Sequence, residues 1–269
     1  MVEKVTYKPA SIGVEINLSG ENGVYIETFP NLRSGEWTYK QRGKMLQARS
    51  RQTRTEEITL KTQTPELLDM FLEMCDADVE NNTAGTLCVD DWQAQVFIVK
   101  DKATTIKPNF YEVTLTVLLT EGVWRKPYTY SYVMDNLKGS GLNYPHTYPF
   151  DYSRSDVSSR IWLETFTPLP MDLTIFGSVS NPRINIAGNT YALDVDIKLG
   201  ERVEVDSLNN TVTLISSTGE RRSVISNAYF TRDMNIFAPL PRSGGVVTWN
   251  NNFNFDVTVW KESGRAPWA

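Results

Sequence analysis

Apolar and polar residues alternate loosely from Met1 to about Ala48, and Asn22-Gly23 separates Ile16-Asn17-Leu18 from Val24-Tyr25-Ile26. An Asn-Gly pair supplies the positive φ angles of a two-residue turn at little steric cost, so the start of the chain predicts antiparallel strands. The strand pattern continues through Glu56-Glu57-Ile58-Thr59-Leu60-Lys61-Thr62. At Thr64-Pro65 the period changes: a capping threonine followed by proline at the first helical position opens a helix. Leu67, Leu68, Phe71, Leu72 and Cys75 then recur at spacings of three and four, which predicts one amphipathic helix over about 65–76, packed on a sheet. This stripe, with Met70 and Met74 beside it, reads as core packing. Asn81-Asn82-Thr83-Ala84-Gly85 ends it, and Thr86–Val89, Ala94–Lys100 and Tyr111–Leu119 read as further strands rich in Val, Thr and Tyr.

Regular periodicity is lost between about Trp124 and Phe166, where Pro127, Gly139, Gly141, Pro145 and Pro149 mix with Tyr128, Tyr130, Tyr132, Tyr144, Tyr148, Phe150 and Tyr152. So many aromatic rings need a surface to cover them, so the segment reads as an ordered connector. From about Pro168, short strand-like runs are cut by turn signals at Gly188-Asn189, Leu199-Gly200, Asn209-Asn210, Thr218-Gly219, Gly244-Gly245 and Asn250-Asn251-Asn252. Turns roughly every 8–12 residues, with no helix of length after Asp76, predict an antiparallel β-sandwich. The expected architecture is mainly β in two domains: 1–134 with the helix, a connector over 135–167, and a sandwich over 168–269.

At 269 residues the chain has room for two cores, and its composition of 41% hydrophobic and 22% charged residues is that of a folded globular protein. The net charge of −5 is spread evenly: residues 1–134 hold 15 Lys and Arg against 18 Asp and Glu, and the remainder 12 against 14. Neither half is a basic nucleic-acid module. No run of about 18 apolar residues is present to span a bilayer, and Met1-Val2-Glu3-Lys4 lacks the features of a secretory signal, so synthesis and folding in the cytoplasm without membrane insertion are expected.

Candidate chemistry is sparse. The sole histidine, His146, lies in Tyr144-Pro145-His146-Thr147-Tyr148-Pro149 with no Gly-x-Ser-x-Gly and no Cys/His pairing to make it a base, so no catalytic residue is assigned. Cys75 and Cys88 read as reduced thiols in or near a core rather than a disulfide framework. Glu56-Glu57 and Asp90-Asp91, taken as neighbours along strands, point to opposite faces and do not converge as a hydrolytic pair. Asp194, Asp196, Glu204 and Asp206 alternate with Val and Ile as half-buried strands do; a calcium site is the alternative reading, but no EF-hand loop accompanies them and no metal is assigned. With no phosphate-cradling glycine motif, no cofactor is expected. The one charge anomaly is Lys40, Arg42, Lys44, Arg49, Arg51 and Arg54, six cations with no acid between Glu36 and Glu56. Arg49 and Arg51 are expected to share a strand face, as a solvated surface, a contact with an acidic protein surface, or a lining facing passing DNA.

Several segments, in order, resemble the distal tail proteins of siphophages. In the first half these are Arg54-Thr55-Glu56-Glu57-Ile58-Thr59-Leu60, Ala84-Gly85-Thr86-Leu87, Asp90-Asp91-Trp92 and Glu121-Gly122-Val123-Trp124. In the second they are Asn181-Pro182-Arg183-Ile184-Asn185-Ile186-Ala187-Gly188, Gly200-Glu201, Val205-Asp206-Ser207, Asn210-Thr211-Val212 and Phe237-Ala238-Pro239-Leu240-Pro241. The sequence departs from the family's Pro-Gly-Asn-like turn at Pro241-Arg242-Ser243-Gly244-Gly245, and the connector from Asp135 to Thr167 has no counterpart in the pattern. The resemblance implies an N-terminal β domain with one helix and a C-terminal galectin-like sandwich. It further implies a structural, non-enzymatic protein of the virion tail tip, or baseplate. Six copies would form a ring around a channel that DNA crosses only as cargo, joining the tail tube protein to a hub or fibre protein and carrying receptor-binding proteins for host attachment. Three other readings compete with it. In one the second half is a carbohydrate-binding module using Trp162, Trp249 or Trp260; in another the chain is a tail-tip hydrolase, and in the last a tail tube subunit.

Overall fold

A computed structural model of the chain describes residues 4–21, 23–28, 30–134, 159–163 and 165–267. The chain is mainly β, with 53% of the described residues in strands and 10% helical, and one α-helix among them. It forms two compact units: Met1–Lys126 with Glu262–Ala269, and Pro127–Lys261.

The first unit contains, in chain order, β1 (Val5–Lys8), β2 (Ile16–Asn17), β3 (Val24–Thr28), β4 (Thr38–Arg42), β5 (Met45–Ser50), β6 (Arg54–Thr62), α1 (Pro65–Glu80), β7 (Gly85–Val89), β8 (Trp92–Lys107), β9 (Phe110–Leu119) and the start of β10 (Trp124–Tyr132). The antiparallel order is β3-β6-β9-β8-β7-β1-β2. The two-residue side-chain period does the sorting. Ile58 and Leu60 of β6 stand opposite Leu115 and Val113 of β9, and all four are buried. Burying one such side chain stabilises by about 1.5–3 kcal/mol. Leu87, Val89, Ala94 and Val96 continue that core. Asp90-Asp91 is the β7–β8 hairpin turn, with Val89 paired to Trp92 and Asp90 at φ 54°, rather than two positions along a strand. Aspartate tolerates the left-handed conformation that such a turn requires.

The helix closes the core by burying Leu68, Phe71 and Cys75. Pro65 occupies its first turn, but Thr64 makes no side-chain cap; the Thr62 hydroxyl instead accepts from the Thr64 N–H at 3.1 Å. The helix runs to Glu80, one turn past the expected end; the apolar stripe stops short of it because the next inward position is an acid, Asp78. Asp78 is fully buried and accepts from the Tyr7 hydroxyl at 2.7 Å and from the N–H groups of Ala10 and Ser11 at 3.2 and 3.1 Å. A Cβ on Gly85 would stand 2.2 Å from the Tyr7 oxygen, so only glycine lets β7 pass this cluster. Asn82, at φ 50°, ends the helix in the left-handed conformation.

The second unit holds β11 (Ser159–Ile161), β12 (Met171–Phe176), β13 (Val179–Ser180), β14 (Arg183–Ile186), β15 (Asn189–Ala192), β16 (Asp196–Ile197), β17 (Arg202–Asp206), β18 (Thr211–Ile215), β19 (Arg221–Ser223), β20 (Gly245–Trp249) and most of β21 (Phe255–Ser263). One antiparallel sheet runs β19-β18-β17-β12-β21 and another β11-β20-β14-β15. Leu173, Ile175, Val203, Val205, Val212 and Val257 from the first share a core with Ile161, Ile184, Ile186, Tyr191 and Val247 from the second. Two sheets burying their alternate residues against one another form a β-sandwich. The β14–β15 turn is Ala187-Gly188, both with positive φ, one residue before the Gly188-Asn189 signal. Gly200, Asn210, Gly219, Gly244 and Asn251 also carry positive φ, each at an expected turn.

Candidate assembly surfaces

The cationic segment forms a hairpin. Tyr39 stands opposite Arg49, Lys40 opposite Ala48 and Arg42 opposite Met45, with a bulge after Lys40 and a turn at Gly43-Lys44. Every residue of β4 and β5 is exposed, including Tyr39 at 58%, Met45 at 76% and Leu46 at 55%, and among the described residues the two strands pair only with each other. A second hairpin leaves the core where β8 loses its buried residues after Ile98; from Val99 it is almost wholly exposed, carrying Lys100, Lys102 and Lys107 toward the turn at Asn109. The sequence shows the charge of β4–β5 but not its isolation, because a strand with no buried face lacks the alternation that locates one.

Arg49 and Arg51 do not share a strand face. β5 ends at Ser50, and the Arg51 guanidinium stacks over the Trp37 ring, 4.3 Å from its centroid. It fills the space beside Gly264 where any side chain would overlap it, and burial lowers its pKa. Trp37 and Arg51 line an open groove of about 750 Å³ with Gln52, Thr53, Thr120, Glu121, Val123 and Glu262. Both carboxylates there are held by Arg125, which donates to Glu121 and, at 3.0 Å, to Glu262. An arginine shared by two acids is a structural tie; it leaves neither carboxylate poised as a base. Arg54, the last of the six cations, lies on β6 beside Glu56 at 3.5 Å, and desolvation raises the Glu56 pKa.

Two of the four acids that alternate with Val and Ile in the second unit, Asp206 and Glu204, have other partners. Asp206 accepts from the Asn209 N–H at 2.8 Å and its side-chain amide at 2.7 Å, and Glu204 pairs with Arg202 at 2.8 Å. Among the described residues no group of three or more His, Cys, Asp or Glu is arranged to hold a metal ion. Asp172 accepts from the Ser207 N–H and hydroxyl at 2.8 and 3.0 Å and from the Trp260 indole at 2.5 Å, while burial pushes its pKa up. Of the tryptophans considered as sugar platforms, Trp249 is buried against Tyr132 and Phe255, and Trp260 is half-buried on Asp172. Trp162 stands 67% exposed with Arg160 stacked 4.0 Å from its ring. Cys75 is buried and Cys88 half-buried, both are free thiols, and desolvation raises both pKa values. His146 and the connector aromatics Tyr144, Tyr148, Phe150 and Tyr152 lie outside the described residues.

A helix-bearing antiparallel β unit and a two-sheet β-sandwich, in one chain, define a fold found in components of bacteriophage baseplates and adsorption hubs. The chain is similar over 99% of its length to the whole of a chain from the phage P2 baseplate in its activated conformation with Ca, at a TM-score of 0.64 and 12% identity. It is also similar over 98% of its length to the whole of the SPP1 Dit (gp 19.1) protein, a paradigm of the hub adsorption apparatus of phages that infect Gram-positive bacteria, at a TM-score of 0.54 and 9% identity. Identities this low establish a shared fold. No protein-family profile matches the chain, and no curated protein sequence matches it significantly. Among the described residues no helix is long and apolar enough to cross a membrane.

Proposed function

We propose that this chain is a structural component of a bacteriophage tail tip that assembles as a ring, with six copies as the expected number. The observation that carries the reading is end-to-end coverage: both units, in order, superpose on whole chains from a baseplate and an adsorption hub. In this reading the first unit forms the ring around a channel that DNA traverses, joining the tail tube protein to a hub or fibre protein. The galectin-like second unit supports receptor-binding proteins. The role is architectural and not catalytic, in keeping with carboxylates engaged in structural bonds. Light scattering and negative-stain electron microscopy of the purified chain test this. A closed ring, present once per virion by quantitative mass spectrometry, is expected; a monomer at every concentration, or the copy number of many stacked rings, refutes it. One observation favours host-glycan binding as a second reading, the exposed Trp162 with its Arg160 neighbour. A glycan array probed with the full chain decides it, and loss of signal in Trp162→Ala is required.

A further inference from the structure

The β4–β5 hairpin has the features of a segment built to be covered. A two-stranded hairpin alone in water is marginally stable. This one exposes Tyr39, Met45 and Leu46 together with Lys40, Arg42, Lys44 and Arg49, and none of these four cations has an ion pair among the described residues. A complementary surface lies on the same unit. The outward side of α1 presents Glu66, Asp69, Glu73, Asp76 and Glu80, all exposed, and the helix contains no basic residue. Spaced at three and four, these acids form one stripe of like charges, which disfavours the helix, and Glu80 sits at the end where the helix dipole is negative. No ion pair among the described residues offsets that cost. Met70 and Val79, 48% and 42% exposed, offer apolar contact beside the stripe. The lengths agree as well: sixteen helical residues span about 24 Å, and the six residues of β5 about 20 Å.

We propose that the β4–β5 hairpin of one copy lies along the acidic face of α1 on the next copy. The inference rests on the ring reading above and names the contact that builds it. Donor and acceptor are different surfaces of one chain, so the contact is head-to-tail, and repeated with a rotation that closes it yields a ring.

Charge exchange tests it. One full-length variant carries Lys40→Glu, Arg42→Glu, Lys44→Glu and Arg49→Glu; a second carries Asp69→Lys, Glu73→Lys, Asp76→Lys and Glu80→Lys. Circular dichroism melts confirm that each is folded, and if four changes unfold a variant, the pairs Arg42→Glu with Lys44→Glu and Asp69→Lys with Glu73→Lys replace them. Association measured by light scattering is expected to weaken roughly 100-fold or more in each variant alone. The equimolar mixture regains the parent's size, because each variant then offers the other a charge-matched partner. A hairpin variant that keeps the parent's size, or a mixture that stays dissociated, overturns this contact while leaving the ring reading in place. A parent chain that is monomeric at every concentration overturns both.

Discussion

Replacing Tyr7 by phenylalanine removes one oxygen from the place where β1, β7 and α1 meet. The tyrosine is fully buried, its hydroxyl donates to Asp78 Oδ2 at 2.7 Å, and its ring meets Phe71 edge-on with centroids 5.7 Å apart, so the substitution keeps the packing and deletes the bond. A hydrogen bond to a charged partner contributes about 1.5–3 kcal/mol. Asp78 keeps its two backbone donors, so the loss should fall in that range and not reach the cost of an isolated buried charge. With a urea m-value of about 2 kcal/mol/M, the transition of the first unit should move down by roughly 1 M at unchanged m. The effect also depends on pH. Burial, followed by the bond to Asp78, raises the Tyr7 pKa above that of an unfolded tyrosine, whose value is about 10. Its contribution is therefore complete below that pH and lost as pH climbs beyond it, and the phenylalanine variant should lack this part of the alkaline destabilisation. A midpoint shift below about 0.2 M, with the Asp78→Asn variant equally mild, would falsify the view that this cluster fastens the N-terminal strand to the helix.

Gly122→Ala should destabilise the first unit by about 2–4 kcal/mol, since the residue has φ 62° and its new Cβ would lie 2.3 Å from the Gln52 carbonyl oxygen. Gly219→Ala, at φ 88° but with nothing within 4 Å, should cost only about 1–2 kcal/mol; equal losses of thermal stability in the two would show that the clash is absent. Neither Cys75 nor Cys88 should react with a disulfide reagent at pH 8 until the chain unfolds, because desolvation raises both thiol pKa values. Fast labelling of Cys75 in the native protein contradicts its placement.

Much of the fold was legible because local pattern and tertiary environment agree. The alternation at Ile58 and Leu60 predicted a half-buried strand, and the stripe at Leu68, Phe71 and Cys75 predicted a helix on a sheet. The last turn of α1 escaped because its inward residue is Asp78, which is buried only by partners about seventy positions earlier. Asp90-Asp91 proves to be a turn because Val89 pairs with Trp92 across it, a register that the strand-like runs on either side do not reveal, although aspartate's preference for turns was a signal pointing that way. The cationic hairpin was half visible. The run of cations could be read directly, but Arg51 leaves it for Trp37 only because Gly264, near the other end of the chain, leaves space for its guanidinium.

The closing residues return to the first unit, where the Ala266 N–H donates to the Leu32 carbonyl and buried Arg33 donates to the carbonyls of Ala266 and Pro267. Ribosomal synthesis is vectorial, so this segment emerges after Pro127–Lys261. The second unit is whole in sequence before then and is free to fold on the nascent chain. The first is completed only once Glu262–Ala269 has been made, so the bonds from Arg33 to the Ala266 and Pro267 carbonyls form after the whole of the second unit has been synthesised.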